Sequence, residues 1–488
     1  MRPGRRHTSL PPVLALIAAL TSPSLMLAQG SPGTLSMEPC KIPGGEEEVR
    51  CGTYTVYENR DLGSGRTIDI NIMVIPAATR SPRPDPIVPL SGGPGEAATV
   101  GARGWFRSSF RWMRDIVLVD QRGTGKSNPL YCEVAEQGDL QSYLDPVFTA
   151  GKFERCRERL EPLADLTQYT TPIFADDLHE ILLALGYEQV NLTGGSYGTR
   201  AALVYMRRYP ETVRTAILDG VAPIAFRNPL YHAYESQKAL EKTFEECAAD
   251  PDCHAAFPDL EQEFAEIIER LEREPAIVTI AHPETGEQTT LSISRYAFAE
   301  ALRTSMYYLS YARTVPLLIH RAYEGDYGFF VDLGLRSNIA IVDALAFGML
   351  LSVTCPEDLS RIDENEIPEL TDGTFLGDDR VRNQLAACSV WPARELPDGY
   401  GEPLSVEVPT LLLSGTLDPV TPPRWGAEAA SHLPNSLHLV VPAAHGARGS
   451  CIRGIRSEFL EKGSLEGLDT SCVSEMSLPP FNLTGRDR

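Results

Sequence analysis

Val190-Asn191-Leu192-Thr193-Gly194-Gly195-Ser196-Tyr197-Gly198, continuing through Ala201-Ala202-Leu203-Val204-Tyr205-Met206, decides the reading of this chain. A short apolar strand runs into a glycine-flanked serine, and a helical stretch follows. Glycines two before and two after Ser196 let the backbone make a tight strand-to-helix turn that would present the hydroxyl. An N-cap serine on an ordinary helix is the plainer alternative. The surroundings of the motif decide between them.

Working outward, Phe174 to Leu185 carries apolar Leu178, Ile181, Leu182 and Leu185 at helical spacing, and Gly186 stops the helix before the strand. Ala216-Ile217-Leu218 then reads as the next strand, ahead of Asp219-Gly220. Strand, helix and strand repeated in this way imply a parallel sheet. Upstream, Ile87-Val88-Pro89-Leu90 and Ile116-Val117-Leu118-Val119 read as buried strands ending in Gly-containing loops, although Pro89 counts against the first. Residues 54–57 and 68–75 alternate like an antiparallel hairpin about Gly63-Ser64-Gly65. Residues 225–402 change to long charged amphipathic stretches, including 260–273 and 296–309, before strands resume at Thr410-Leu411-Leu412-Leu413 and Leu437-His438-Leu439-Val440-Val441. The expectation is an α/β chain with a mostly parallel sheet, helices on both faces, and a mainly helical cap inserted before the last two strands.

A serine hydroxyl attacks only with a base to take its proton, an acid to orient that base, and donors for the oxyanion. Of nine histidines, His445 in Pro442-Ala443-Ala444-His445-Gly446 follows the last strand among small neighbours, whereas His432 and His438 fall in a helix end and within a strand. Asp418, in Ser414-Gly415-Thr416-Leu417-Asp418-Pro419, follows the preceding strand, with Asp219 as the rival acid. The order Ser196, Asp418, His445 is that of a nucleophile elbow. The backbone N–H of Tyr197 and that of Gly93, in Ser91-Gly92-Gly93-Pro94-Gly95, are the expected oxyanion donors, with Gly92 as the alternative to Gly93.

Two patterns point elsewhere and fail. Asp120-Gln121-Arg122-Gly123-Thr124-Gly125-Lys126-Ser127 ends like a phosphate-binding loop, but Asp120 stands where the first glycine belongs. His179-Glu180 opens a zinc-protease pattern, but Leu183 occupies the second histidine position. The chemistry expected of Ser196 requires no metal or cofactor.

Over its 488 residues the chain carries a formal net charge of −22 and 43% hydrophobic residues, which suits a large globular protein and disfavours nucleic acid or anionic membrane partners. Arg2, Arg5 and Arg6, an apolar stretch over residues 11–27 and then Ala28 have the order of a signal peptide, with cleavage expected near Ala28. Ordinary export is a simpler reading of Arg5-Arg6 than a twin-arginine signal, and stable membrane insertion is not expected. Ten cysteines lie beyond this leader, without Cys-x-x-Cys spacing, and in order they make five sequence-local pairs, the connectivity expected in an exported protein, periplasmic or extracellular.

Together the Gly-Gly-Pro-Gly loop, the Asp120–Ser127 segment, the Gly-Gly-Ser-Tyr-Gly elbow and Gly-Thr-Leu-Asp-Pro-Val-Thr-Pro resemble the prolyl aminopeptidase-like serine peptidases, and their tripeptidyl aminopeptidase branch in particular. The resemblance spans residues 40–472. It implies an α/β-hydrolase fold, exopeptidase action on peptides with a free N-terminus beneath a helical cap, and triad positions at Ser196, Asp418 and His445. The resulting organisation is a leader at 1–28, a first core part at 29–224, a cap at 225–402 and a second core part at 403–488 with a tripeptidyl aminopeptidase-like C-terminal segment. An aminopeptidase needs carboxylates for the substrate ammonium, and Glu96, Glu357 and Asp358 are the candidates. An esterase or amidase with the same triad is the competing function, and a noncatalytic binding protein a more distant one.

Overall fold

The structure, a computed structural model, describes residues 31–282 and 285–485, so the leader assigned to residues 1–28 lies outside the described residues. A nine-stranded sheet organises the chain, in the order β1-β2-β3-β5-β4-β6-β7-β10-β11. β1 (Leu35–Lys41), β2 (Glu48–Tyr57) and β3 (Thr67–Ile75) form an antiparallel edge, and β3 is antiparallel to β5 (Ile116–Val119). From β5 the sheet is parallel through β4 (Ile87–Leu90), β6 (Val190–Gly195), β7 (Val213–Asp219), β10 (Thr410–Gly415) and β11 (Ser436–Val441). The hairpin expected around residues 63–65 is β2–β3; β1, mostly exposed, was not foreseen because it lacks a clear apolar face.

The apolar runs read as buried strands are covered on both faces. Along β5, Val117 and Val119 join one core while Ile116 and Leu118 join the other; along β10, Leu412 faces the first and Leu411 and Leu413 the second. Alternate side chains thus enter different layers, which is why these strands show no polar alternation. Pro89 fits in β4 for a geometric reason. Ile87 N–H donates toward β5 at Asp115 O (2.9 Å), so two residues on Pro89 also faces β5, and pairing on that side has already lapsed beyond Ile87.

Between β7 and β10 the chain leaves the sheet and builds a layer over its carboxyl edge. Its longer helices are His232–Ala249, Leu260–Arg273, Arg295–Ser305, Phe347–Glu357 and Asp379–Ser389. One part departs from the helical expectation: β8 (Ala276–Ala281) and β9 (Gln288–Ile293) form a separate antiparallel hairpin. β-branched Ile277, Val278, Thr279 and Ile280 favour it over helix.

Five disulfides join Cys40–Cys51, Cys132–Cys156, Cys247–Cys253, Cys355–Cys388 and Cys451–Cys472, the sequence-local pairing. No helix among the described residues is long and apolar enough to cross a membrane.

Candidate active site

β4 is flanked by β5 on one side and β6 on the other, so the chain leaves β4 in opposite directions and opens a crevice at the carboxyl ends of these strands. Such a switch point is where open α/β sheets bind ligands. The loop Ser91–Gly95 follows β4 and Ser196 follows β6, and both enter this crevice.

Ser196 joins β6 to the helix Tyr197–Arg208 with φ 54° and ψ −126°, one of two non-glycine residues with positive φ among those described. Its amide donates to Asp219 O (3.0 Å), and Thr199 N and Oγ1 both donate to its carbonyl (2.9 and 2.6 Å). A Cβ at Gly194 would run into the Gly198 carbonyl, and one at Gly198 into the Leu90 carbonyl. Both flanking glycines are therefore demanded by close backbone approach, and the surrounding contacts hold the serine in a strained conformation.

His445 lies beyond β11 and Asp418 beyond β10. His445 Nδ1 is 2.8 Å from Asp418 Oδ2, while Asp418 Oδ1 accepts from Val420 N and Thr421 N (2.9 Å each) and Oδ2 also from Thr421 Oγ1 (2.9 Å). Burial alone would raise the Asp418 pKa, but the His445 charge and these hydrogen bonds hold it below the usual carboxylate value. Burial likewise opposes imidazolium formation at His445, yet the charge and hydrogen bond of Asp418, with a smaller contribution from Asp219, raise its pKa above the usual 6.5. The rival acid has another task. Asp219 accepts from Ala447 N (2.9 Å) and from Arg456, anchoring the loop that carries His445.

The glycine loop is fixed against the cap. Gly93 has φ 107°, Gly95 O accepts from Ala346 N (3.0 Å), and Glu96 bridges to Leu345. A side chain at Gly92 would meet Ser196 Cβ at 3.5 Å and Glu96 Oε2 at 3.8 Å, so the Glu96 carboxylate lies just across Gly92 from the serine. Burial raises the Glu96 pKa against the pull of a hydrogen bond with the Gly92 backbone.

Ser196, Tyr197, Gly92, Gly93, Glu96, Asp358 and His445 share a cavity of about 290 Å³ roofed by the inserted layer. Tyr307 from that layer contacts His445 edge-on, ring centroids 4.9 Å apart. Asp358 pairs with Arg200 (2.6 Å), and its second oxygen is without a hydrogen-bond partner among the described residues. Burial raises its pKa against the pull of Arg200. Glu357 does not line the cavity, contrary to expectation: its carboxylate accepts from Thr171 N and Oγ1 (2.7 Å each) and from the Tyr400 hydroxyl. It ties the helix Phe347–Glu357 to the start of the helix Thr171–Ala184 that precedes β6.

The sequence reading missed Glu300, Arg303, Arg380 and His232, all in the cavity wall. Arg303 Nε and Nη2 grip Glu300 Oε2 (3.0 and 2.7 Å), and Glu300 Oε1 has no hydrogen-bond partner among the described residues. Burial, which would raise the Glu300 pKa, is outweighed by Arg303 and Arg380, which keep it low. His232 is held neutral by burial and by the surrounding cations. The spacing of Glu300 and Arg303 on one helix was the available signal, but such a pair also suits an exposed helix face.

The segment that resembles a phosphate loop is structural. Asp120 accepts from Thr99 N and Oγ1 (2.9 Å each) and Asn71 Nδ2 (2.8 Å); Arg122 grips Asp177 (2.6 and 2.8 Å) and Gln121 donates to Tyr197 Oη (3.0 Å). His179 stacks on Tyr209 with ring centroids 3.8 Å apart.

Comparison with known proteins agrees with this architecture. Residues 85–256 match the family model described as alpha/beta hydrolase fold, and residues 374–472 match that described as TAP-like protein. The chain is 25% identical over 444 residues to the serine protease Hip1 of Mycobacterium tuberculosis, covering 81% of each chain. It is 30% identical over 195 residues to the tripeptidyl aminopeptidase of Streptomyces coelicolor, covering 36% of this chain and 35% of that one. It is also 27% identical over 231 residues to the proline iminopeptidase of Arabidopsis thaliana, covering 47% and 46%. With its elbow serine, its switch-point cavity and these relatives, the chain is a serine hydrolase of the α/β-hydrolase fold, similar to the serine peptidases of the prolyl aminopeptidase and tripeptidyl aminopeptidase-like family.

Proposed function

We propose that this protein is an exported serine exopeptidase that releases single residues or short peptides from the free N-terminus of peptide substrates, with Ser196, Asp418 and His445 as its triad. The observation that carries the reading is the roofed cavity, whose lining the serine and histidine share with Glu96, Asp358 and Glu300. Carboxylates with unpaired oxygens beside a serine suit a substrate ammonium, which a neutral ester lacks. The chain divides as a leader at 1–28, core at 29–224 and 403–488, and cap at 225–402. Five disulfides suit export to a periplasmic or extracellular setting.

In the acylation step His445 removes the Ser196 proton as Oγ bonds to the scissile carbonyl carbon. The backbone N–H groups of Gly93 and Tyr197 receive the developing oxyanion. His445 then delivers the proton to the departing nitrogen as the C–N bond breaks, and Asp418 steadies the imidazolium between the two transfers. Water, activated by His445, hydrolyses the acyl-enzyme.

A panel of proline, alanine and tripeptide chromogenic amides, free and N-acetylated, alongside simple esters, tests the reading. Acetylation should lower kcat/KM by about 10- to 100-fold, the loss of a charged hydrogen-bond donor. Equal turnover of free and acetylated substrates refutes the aminopeptidase assignment, and a preference for esters without an amine supports the esterase alternative.

A further inference from the structure

The cations of the cavity wall are matched with one exception. Arg200 is paired with Asp358, Arg303 with Glu300 and His445 with Asp418, while burial and the surrounding cations keep His232 uncharged. Arg380 makes neither an ion pair nor a hydrogen bond with the described residues. Its guanidinium carbon lies over the Phe148 ring, 4.2 Å from the centroid, and its buried Nε has no acceptor among the described residues. Glu300 acts on it through space, but that carboxylate is already gripped by Arg303.

Around Glu300 the wall therefore sets two guanidinium groups, Arg303 and Arg380, against one carboxylate. Burial and the nearby Arg303 both work against the charge on Arg380, lowering its pKa, yet arginine remains protonated in water. A partly buried guanidinium with an orphan donor is costly until an acceptor arrives, and its planar fork matches a carboxylate through two parallel hydrogen bonds. The fork is also held in place. Arg380 sits in the first turn of the helix Asp379–Ser389, whose Cys388 is bonded to Cys355 in the cavity-lining helix Phe347–Glu357, and Phe148 supports the guanidinium face. Little side-chain freedom remains to be lost on binding.

We propose that Arg380 is a specificity-determining residue that receives a carboxylate of the peptide substrate. Such a group is either an acidic side chain or the C-terminal carboxylate of a peptide short enough to lie wholly within the cavity. The assignment rests on the reading of this cavity as the peptide-binding site. It adds to the amine-binding carboxylates a group of opposite charge, so the wall is complementary to a substrate carrying both an ammonium and a carboxylate.

Two matched substrate pairs test it in the full-length protein. The first compares chromogenic tripeptide amides differing only in Glu against Gln, scanned over the three positions; the second compares short free peptides with their C-terminal carboxamides. Wild-type enzyme should prefer the carboxylate member of at least one pair by about tenfold or more in kcat/KM, corresponding to roughly 1.4 kcal/mol, and which pair shows it identifies the source of the carboxylate. Arg380→Gln should bring that ratio close to one, and Arg380→Lys should keep part of it, because charge is retained while the fork is lost. The ratio is the readout, since poor folding or weak turnover lowers both members together. No preference in the wild type, or a preference unaltered in Arg380→Gln, overturns the proposal. N-acetylated versions of each substrate separate the two readings: a carboxylate preference lost in Arg380→Gln but indifferent to acetylation upholds Arg380 while refuting the aminopeptidase assignment.

Discussion

At the scale of single residues, the proposed triad ties the pH dependence of activity to the pairing of His445 with Asp418. The carboxylate raises the imidazole pKa above 6.5, and a general base acts only when neutral. Activity should therefore rise with pH through an inflection above 6.5, as His445 loses its proton. Removing the negative charge with Asp418→Asn should move the inflection downward and reduce kcat by roughly 10³–10⁴-fold, because the wrong tautomer is then favoured. A kcat/KM profile between pH 5 and 9 checks both, and an unmoved inflection would separate Asp418 from His445. Asp219 shows how a candidate of the same type, also at a strand end, is put to different use: its oxygens secure Ala447 and Arg456.

The individual elements explain which parts of the site can be read from sequence. Strand ends are legible because apolar runs stop at glycine, and β4, β6, β10 and β11 deliver the glycine-rich loop Ser91–Gly95, Ser196, Asp418 and His445 to one edge. The elbow is the clearest case, since Gly194 and Gly198 are set by contacts with a neighbouring backbone rather than by turn preference. Gly198→Ala should drive its methyl into the Leu90 carbonyl, abolishing activity and costing about 1–3 kcal/mol of stability. Urea unfolding with a paired activity assay measures both; an active, fully stable variant contradicts the proposed need for glycine there. The hairpin β8–β9 and strand β1 were less legible. The former lies among helices, and the latter exposes most of one face, so neither shows strong apolar periodicity.

For the whole molecule, sequence periodicity locates an inserted layer but not what it places in the cavity. Glu300, Arg303 and Arg380 resemble the solvated charges of surface helices; only packing of the inserted layer over the sheet edge brings them to one wall, and only the fold separates Glu357 from its neighbour Asp358. The disulfides reinforce this layer from within at Cys247–Cys253 and Cys355–Cys388. On the proposed exopeptidase reading, the roofed cavity of about 290 Å³ takes a chain end rather than a folded or internal segment. Mass-spectrometric timing of cleavage in an unstructured peptide of about 20 residues, using wild-type protein and Ser196→Ala, tests this account most directly. It predicts successive loss of residues or short fragments from the free N-terminus by the wild type alone; internal cleavage, or the same cleavage by Ser196→Ala, would contradict it.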